Sequence, residues 1–369
     1  MVRVPFQFFC VVGIATALLL TACEGGGEAK SGSAAVAEAQ PAAAAGANAN
    51  ATTESQPNAA ADVDRVANEI AQAGGKVERS KSGSKSGSKQ DAPAGAGLIG
   101  LTLAKTTAND TQIAGWINQS PSLETIELSG CDAAGPETWA AIARCARLRR
   151  LRLNGTSVGN EAVMAFGQCA GLRVLSLDDT AVTDLQGLAP LKNLQWLSLV
   201  RAAVTDDGLE GMGSFPELRF LRLRGTKIGD RGLAAVARCG RLATLDLSET
   251  SVGDAGIARL AGLVELEDVN LWKTNIGDAA LSHALGWKRL RRLNLDDDAA
   301  LTDAGLVPLA QLEKLEFLHL GNTQLTDAGL RAFSQVKGLR ELIVTECPQV
   351  TAAGIRELRA ALPEATIRE

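Results

Sequence analysis

Leucine recurs along this chain at Leu98, Leu123, Leu148, Leu172, Leu194, Leu218, Leu242, Leu266, Leu290, Leu315, Leu339 and Leu362. The eleven intervals run from 22 to 25 residues and average 24. Three residues after each, and two further on, stand more apolar residues, Leu175 and Leu177 after Leu172 for example, so that all 36 positions of the set are apolar. Alternation at the end of this motif predicts a short strand with leucines inward and the residues between them outward. The second half of each unit places apolar residues at i, i+3 and i+6, as in Leu233, Val236 and Cys239, which predicts one buried helix face. No single unit can bury its own apolar face, so neighbours must stack and share one core. Strands then line one side of the stack and helices the other.

The N-terminal pattern differs. Arg3 is followed by an apolar run from Phe6 to Leu20 and then by Leu20-Thr21-Ala22-Cys23. The run is short for a membrane span and ends in small residues, as a secretory signal does. The "LTAC" sequence resembles the bacterial lipobox, which implies cleavage after residue 22 and lipidation of Cys23. An ordinary signal that happens to contain a cysteine is the alternative. From there to residue 61 the chain is Ala, Gly, Ser, Asn, Gln and Pro, a composition that cannot offset its ordering entropy and predicts a disordered tether. Residues 62–97 read as a cap: Val63, Val66, Ala67 and Ile70 share a helical face that Asp62 can start and Gly74-Gly75 ends. A short strand at Lys76 to Arg79 and a flexible Ser/Gly loop carrying Lys81, Lys85 and Lys89 complete it.

The full unit, "LEFLHLGNTQLTDAGLRAFSQVKG" from Leu315 to Gly338, resembles the leucine-rich repeats of bacterial proteins and the related repeats of eukaryotic F-box proteins. The resemblance covers residues 98–369, and "IAQAGGKVER" is similar to what precedes such repeats in bacterial members. No F-box-like segment precedes the repeats in this sequence, so a ubiquitin-ligase role is not expected. The resemblance implies an α/β leucine-rich-repeat solenoid, a curved horseshoe with a parallel β-sheet on its concave face and helices on its convex face. It also implies a protein partner held on the concave face. A non-catalytic binder of cell-wall glycan is the alternative, and the lipid on Cys23 would add the membrane of a bacterial cell envelope.

Composition narrows the chemistry. A formal charge of -5 argues against nucleic acid as the main partner. Tyrosine is absent and histidine occurs only at His283 and His319, which weakens any acid–base or triad reading. No phosphate loop, Cys-x-x-Cys or serine elbow is present, so neither an enzyme nor a bound cofactor or metal is expected. The aspartates Asp184, Asp206, Asp230, Asp254, Asp278, Asp303 and Asp327 recur once per unit. They suggest either a calcium ladder or, in the reading their position favours, caps on the helices they begin. Cys145, Cys169 and Cys239 take a slot otherwise held by Phe215, Leu263 or Trp287 and read as buried hydrophobes, with Cys145 and Cys169 the one plausible disulfide pair. Cys131 and Cys347 stand where other units carry threonine.

The outward strand positions gather the candidate partner-binding residues: Trp196, Phe220, Arg222, Arg224, Asp246, Asp268, Trp272, Asp296, Phe317 and His319, with Arg150, Arg152 and Asp178 nearby. Aromatics and arginines are enriched at binding hot spots, although aromatics on a sheet can also pack sideways on adjacent strands. Asp268 with Asn270 is the acid–amide pair that a sugar would suit. In a parallel stack Arg222 lies between Ser198 and Asp246, so a lateral Arg222–Asp246 pair is expected, and Arg224, between Val200 and Ser248, is expected to be the freer arginine.

Overall fold

A computed structural model describes residues 59–80, 97–211 and 215–369. Every described residue belongs to one compact unit, Ser55–Glu369. Cys23, the tether before residue 59 and the lysines Lys81, Lys85 and Lys89 lie outside the described residues.

The first described element is the helix Ala59–Gln72, α1. It starts earlier than the sequence suggests: Asp62 lies within its first turn, 3.7 Å from Arg65, and so is not its cap. Val66, Ala67 and Ile70 are buried beneath it as their spacing demands. Gly74 turns the chain at φ +89°, a conformation that a side chain would strain. Strand β1, Lys76–Arg79, then pairs antiparallel with β2, Leu98–Thr102, covering the first edge of the stack.

The repeat strands that follow are β3 Thr125–Glu127, β4 Arg150–Arg152, β5 Val174–Ser176, β6 Trp196–Ser198 and β7 Phe220–Arg222. They continue through β8 Thr244–Asp246, β9 Asp268–Asn270, β10 Arg292–Asn294, β11 Phe317–His319, β12 Glu341–Ile343 and β13 Thr366–Arg368. The described residues form one 13-stranded sheet in strict sequence order, parallel from β2 onward. Counting the first leucine of each unit as position 1, positions 1, 4 and 6 point inward and are almost fully buried, as Leu172, Leu175 and Leu177 are. The last strand departs from the leucine count: its register sets Ile367, and not Ala365, beside Leu342. Opposite the strands sit short helices such as Asp254–Arg259 and Asp278–Ala284. Trp287 is wholly buried there, and its indole Nε1 donates to the Leu260 carbonyl at 3.0 Å, which satisfies the one polar atom it brings inside.

Two further columns end each strand. Position 8 has positive φ in ten successive units, at Gly130, Gly155, Asp179, Arg201, Gly225, Glu249, Lys273, Asp297, Asn322 and Glu346. In this left-handed turn its N–H still reaches the next unit, as from Glu249 to the Trp272 carbonyl at 2.9 Å, so the ladder runs one bond beyond the strand. Position 9 follows, and in half of these units it is a threonine whose hydroxyl donates to the carbonyl three residues back, at 2.6 Å for the buried Thr156, Thr180, Thr226 and Thr250 and 2.8 Å for Thr323. That bond removes the cost of burying the hydroxyl.

The aspartate column is not what the sequence suggests. Every carboxylate of the column but Asp184 works between units: Asp206 accepts from the Gly229 N–H at 2.7 Å, Asp230 from Gly253 at 2.6 Å and Asp254 from Gly277 at 2.6 Å. Where the next helix is capped by threonine, the carboxylate takes both its N–H and its hydroxyl, as Asp278 does from Thr302 at 2.8 and 2.6 Å. Asp184 differs, accepting from Gln186 N–H at 2.8 Å, and Asn160 bonds to Thr183 in the joint before it. The same staple explains the glycine of "TDAGL". A Cβ on Gly256 would lie 2.5 Å from Asp230 Oδ1, and one on Gly305 2.5 Å from Asp278 Oδ1. At these two joints a side chain would strike the preceding carboxylate as it stands, whereas the Asp254 joint accommodates Ala280 in the same slot and keeps its bond to the Gly277 N–H at 2.6 Å. No described helix is long and apolar enough to cross a membrane.

Candidate functional site

The outward strand positions 3, 5 and 7 form the face that no described helix covers. At position 3, Trp196 and Phe220 are register partners on β6 and β7, and their rings stack at 4.8 Å between centroids with a 29° interplanar angle. Both are half-buried. Phe317, further along the same row, is buried, and the Arg292 guanidinium lies 4.1 Å from its ring centre. The sideways packing that competes with binding is therefore real for all three rings.

At position 5 the register sets Arg222 between Ser198 and Asp246, as the stacking requires. Asp246 is buried and its Oδ1 accepts from Ser248 N–H at 3.1 Å and Ser248 Oγ at 2.6 Å. Arg224, at position 7, is itself engaged. Its Nε reaches Glu249 Oε2 at 3.0 Å and its guanidinium lies 5.0 Å from the Trp272 ring centre. Glu249 sits in the left-handed position 8, where its carboxylate stands beside position 7 of the preceding unit. Strand alternation carries no sign of that conformation, so the sequence hides this partner.

The acids and His319 are also engaged within the sheet. Asp268 lies 3.6 Å from Arg292; burial pushes its carboxyl up to about 6, against the opposing pull of that guanidinium. Its supposed sugar-binding companion, Asn270, accepts from the Trp272 N–H through Oδ1 at 3.1 Å. Asp296 faces His319, with Oδ1 3.7 Å from Nε2, and burial lowers the imidazole to about 4. His319 is therefore neutral near pH 7 and the contact carries no full charge on its imidazole side. Asp178, beyond these, accepts from Ser198 Oγ at 2.6 Å and Val200 N–H at 2.9 Å.

Comparison with known proteins fits this geometry. Residues 217–237 and 311–334 match the family model described as Leucine Rich repeat. No curated protein matches the chain. Among solved structures, an internalin of Listeria monocytogenes is similar at a TM-score of 0.58 and 20% identity, covering 73% of this chain and 79% of its own. The fold is a leucine-rich-repeat solenoid. An internalin C2 of the same organism is similar at a TM-score of 0.48 and 23% identity over 63% of this chain and 92% of that one. A Leptospira interrogans LRR protein scores 0.44 at 18% identity over 69% and 74%.

Inside the solenoid the cysteines behave as small hydrophobes. Cys145, Cys169 and Cys239 are buried free thiols, as are Cys131 and Cys347, so the Cys145–Cys169 pairing is not formed. Burial pushes Cys145 up to about 12 and Cys169 up to about 11, far from the thiolate range that nucleophilic or metal chemistry needs. Among the described residues, no three His, Cys, Asp or Glu side chains gather to hold a metal ion. The arginines that remain conspicuous, Arg149, Arg173 and Arg219, stand at position 2, before the strand proper. Aligning the units in columns reveals them, whereas reading only the alternating strand positions does not.

Proposed function

We propose that this solenoid is a non-catalytic binding module that engages a partner protein across the uncovered face of its sheet. The observation that carries this is the Trp196–Phe220 pair, two large half-buried rings on a face that no described helix covers, with arginines around them. The deeply buried thiols and the neutral, enclosed His319 supply no reactive group to that face. We also propose that the chain is displayed outside the cytoplasm of a bacterial cell and held to a membrane by a lipid on Cys23, because "LTAC" follows a signal-like apolar run. Several acyl chains on one cysteine would hold firmly where a single chain is marginal.

The binding reading is tested by affinity capture from a cell-envelope extract with the full chain. The wild type recovers a protein that the Trp196→Ala/Phe220→Ala/Arg222→Ala variant loses by about tenfold or more, a loss typical of truncated hot spots. Equal recovery by the variant sinks the reading. The anchor is tested by metabolic labelling with a fatty acid. Label enters the wild type and is lost in Cys23→Ser; label that persists in that variant refutes lipidation at this residue.

A further inference from the structure

The rows at the start of the strands, positions 2 and 3, divide the sheet into unlike halves. From β9 onward carboxylates share these rows with the arginines and pair with them, Arg292 with Asp268 at 3.6 Å and Arg291 with Glu316 at 2.5 Å, and Arg368, which lies outside these rows, reaches Glu341 at 2.9 Å. Across β4 to β8 the same rows read Arg149-Arg150, Arg173-Val174, Gln195-Trp196, Arg219-Phe220 and Ala243-Thr244, with no carboxylate among them. All four arginines are exposed. Arg149 touches Glu124 loosely, at 3.8 Å with both side chains about half exposed. Among the described residues Arg150, Arg173 and Arg219 have no ion-pair or hydrogen-bond partner for their side chains. Register explains Arg150: its neighbours across the strands are Thr125 and Val174, neither of which can neutralise it.

Like charges on strands about 4.8 Å apart repel and lower the stability of the sheet slightly. A bound carboxylate would reverse that, and a guanidinium fork receives one in bidentate geometry. In the row of Arg150, and one position along the chain from the row of Arg149, Arg173 and Arg219, stands the Trp196–Phe220 stack, which offers half-buried apolar surface but no gap between the rings for a base to enter. From β4 to β7 is three strand spacings, about 14 Å, the length of about four residues of extended chain.

We infer that Arg149, Arg150, Arg173 and Arg219, with Trp196 and Phe220, form a docking strip for an extended acidic segment of the partner protein. Its carboxylates pair with the arginines and an apolar side chain rests on the aromatic stack. This deepens the proposed function and rests on it: the partner enters on the β4–β7 half of the sheet, and the self-neutralised half from β9 onward contributes little.

The test uses the full chain and a short fluorescein-labelled peptide of alternating glutamate and leucine, with a lysine–leucine peptide as control, read by anisotropy. The acidic peptide binds the wild type, the basic one does not, and added salt weakens binding as it does for exposed charges. Arg150→Glu/Arg173→Glu/Arg219→Glu weakens binding about tenfold or more, whereas Arg291→Glu/Arg292→Glu in the paired half changes it less than about twofold. Circular dichroism melts show that both variants fold. No binding of the acidic peptide, or equal loss in both variants, overturns the inference. Capture of a partner through Trp196 and Phe220 with no response to the arginine reversals leaves the proposed function standing and this strip refuted. Binding of phosphatidylglycerol vesicles at the strip, without the peptide, assigns it to a membrane surface and equally refutes it.

Discussion

At the residue scale the odd member of the solenoid is Asp298. It occupies position 9, where other units bury a threonine hydroxyl, and only 2% of it is exposed. Its Oδ1 accepts from Thr274 N–H at 2.9 Å and Thr274 Oγ1 at 3.0 Å, while Oδ2 is buried without a hydrogen-bond partner among the described residues. Burial pushes the carboxyl up to about 7, with Asp297 and Asp296 adding to the rise against the opposing Thr274 bonds. Position 9 holds a cysteine or this aspartate in the units where one extra residue precedes the next apolar position, as Cys131 to Ala134, Asp298 to Leu301 and Cys347 to Val350 show. In a run of three aspartates, nothing in the sequence marks the third as buried. The sign of its effect follows from the shift. The folded pKa lies above the unfolded one, so folding favours the protonated form; that stability is full below about pH 4 and is lost as pH rises to about 7. Each pH unit in that window is worth about 1.4 kcal/mol, up to about 4 kcal/mol in all. Asp298→Asn, which cannot ionise, therefore gains on the wild type as pH rises from about 4.5 to about 8 in urea unfolding. An unchanged difference between the two proteins at both pH values would show that the carboxyl does not titrate in this window.

At the scale of the element, the motif "TDAGL" is a joint between two units. The leucine spacing discloses the strands and the inward helix face because both depend on burial alone, a property of single positions repeated. The aspartate's role is not legible in the same way. Its acceptor geometry points to the following helix, and a single unit read by itself offers only its own N–H groups. The glycine two residues later has its reason one unit earlier. This coupling is measurable. Gly256→Ala drives a methyl to 2.5 Å from Asp230 Oδ1 and 3.0 Å from Leu233 Cδ1, so it costs about 2 kcal/mol or more. Asp230→Ala alone removes the acceptor of Gly253 N–H and costs about 1–2 kcal/mol. The double variant costs less than the sum by about 1 kcal/mol, because the carboxylate that the new methyl would strike is gone. Strict additivity in thermal or urea unfolding would place the clash elsewhere, on Leu233. The last described helix, Ala352–Ala361, carries Ala352 in the aspartate slot.

At the scale of the whole solenoid, core and surface obey different rules along one sheet. The core is continuous, leucine on leucine from Leu98 to Leu362, and because each unit contacts its neighbours alone, stability accumulates unit by unit. Surface charge is not continuous. Where the partner for an arginine lies on the next strand, the fold neutralises it internally, as with Arg201 and Asp179 at 2.6 Å or Arg292 and Asp268. Such exposed pairs stabilise the molecule little, but they withdraw the arginine from other partners. This is why the candidate residues read from the sequence do not form one site. Arg224, Trp272, Asp268, Asp296 and His319 are engaged with one another or with neighbours, while Trp196 and Phe220 adjoin arginines that no described carboxylate satisfies. Composition could not separate these groups, since a net charge of -5 conceals a local excess of arginine. Register could, because it states which side chains share a row. The uncovered face is common to the fold; the unneutralised rows are particular to this chain, and they locate where on that face a partner finds charge left to meet.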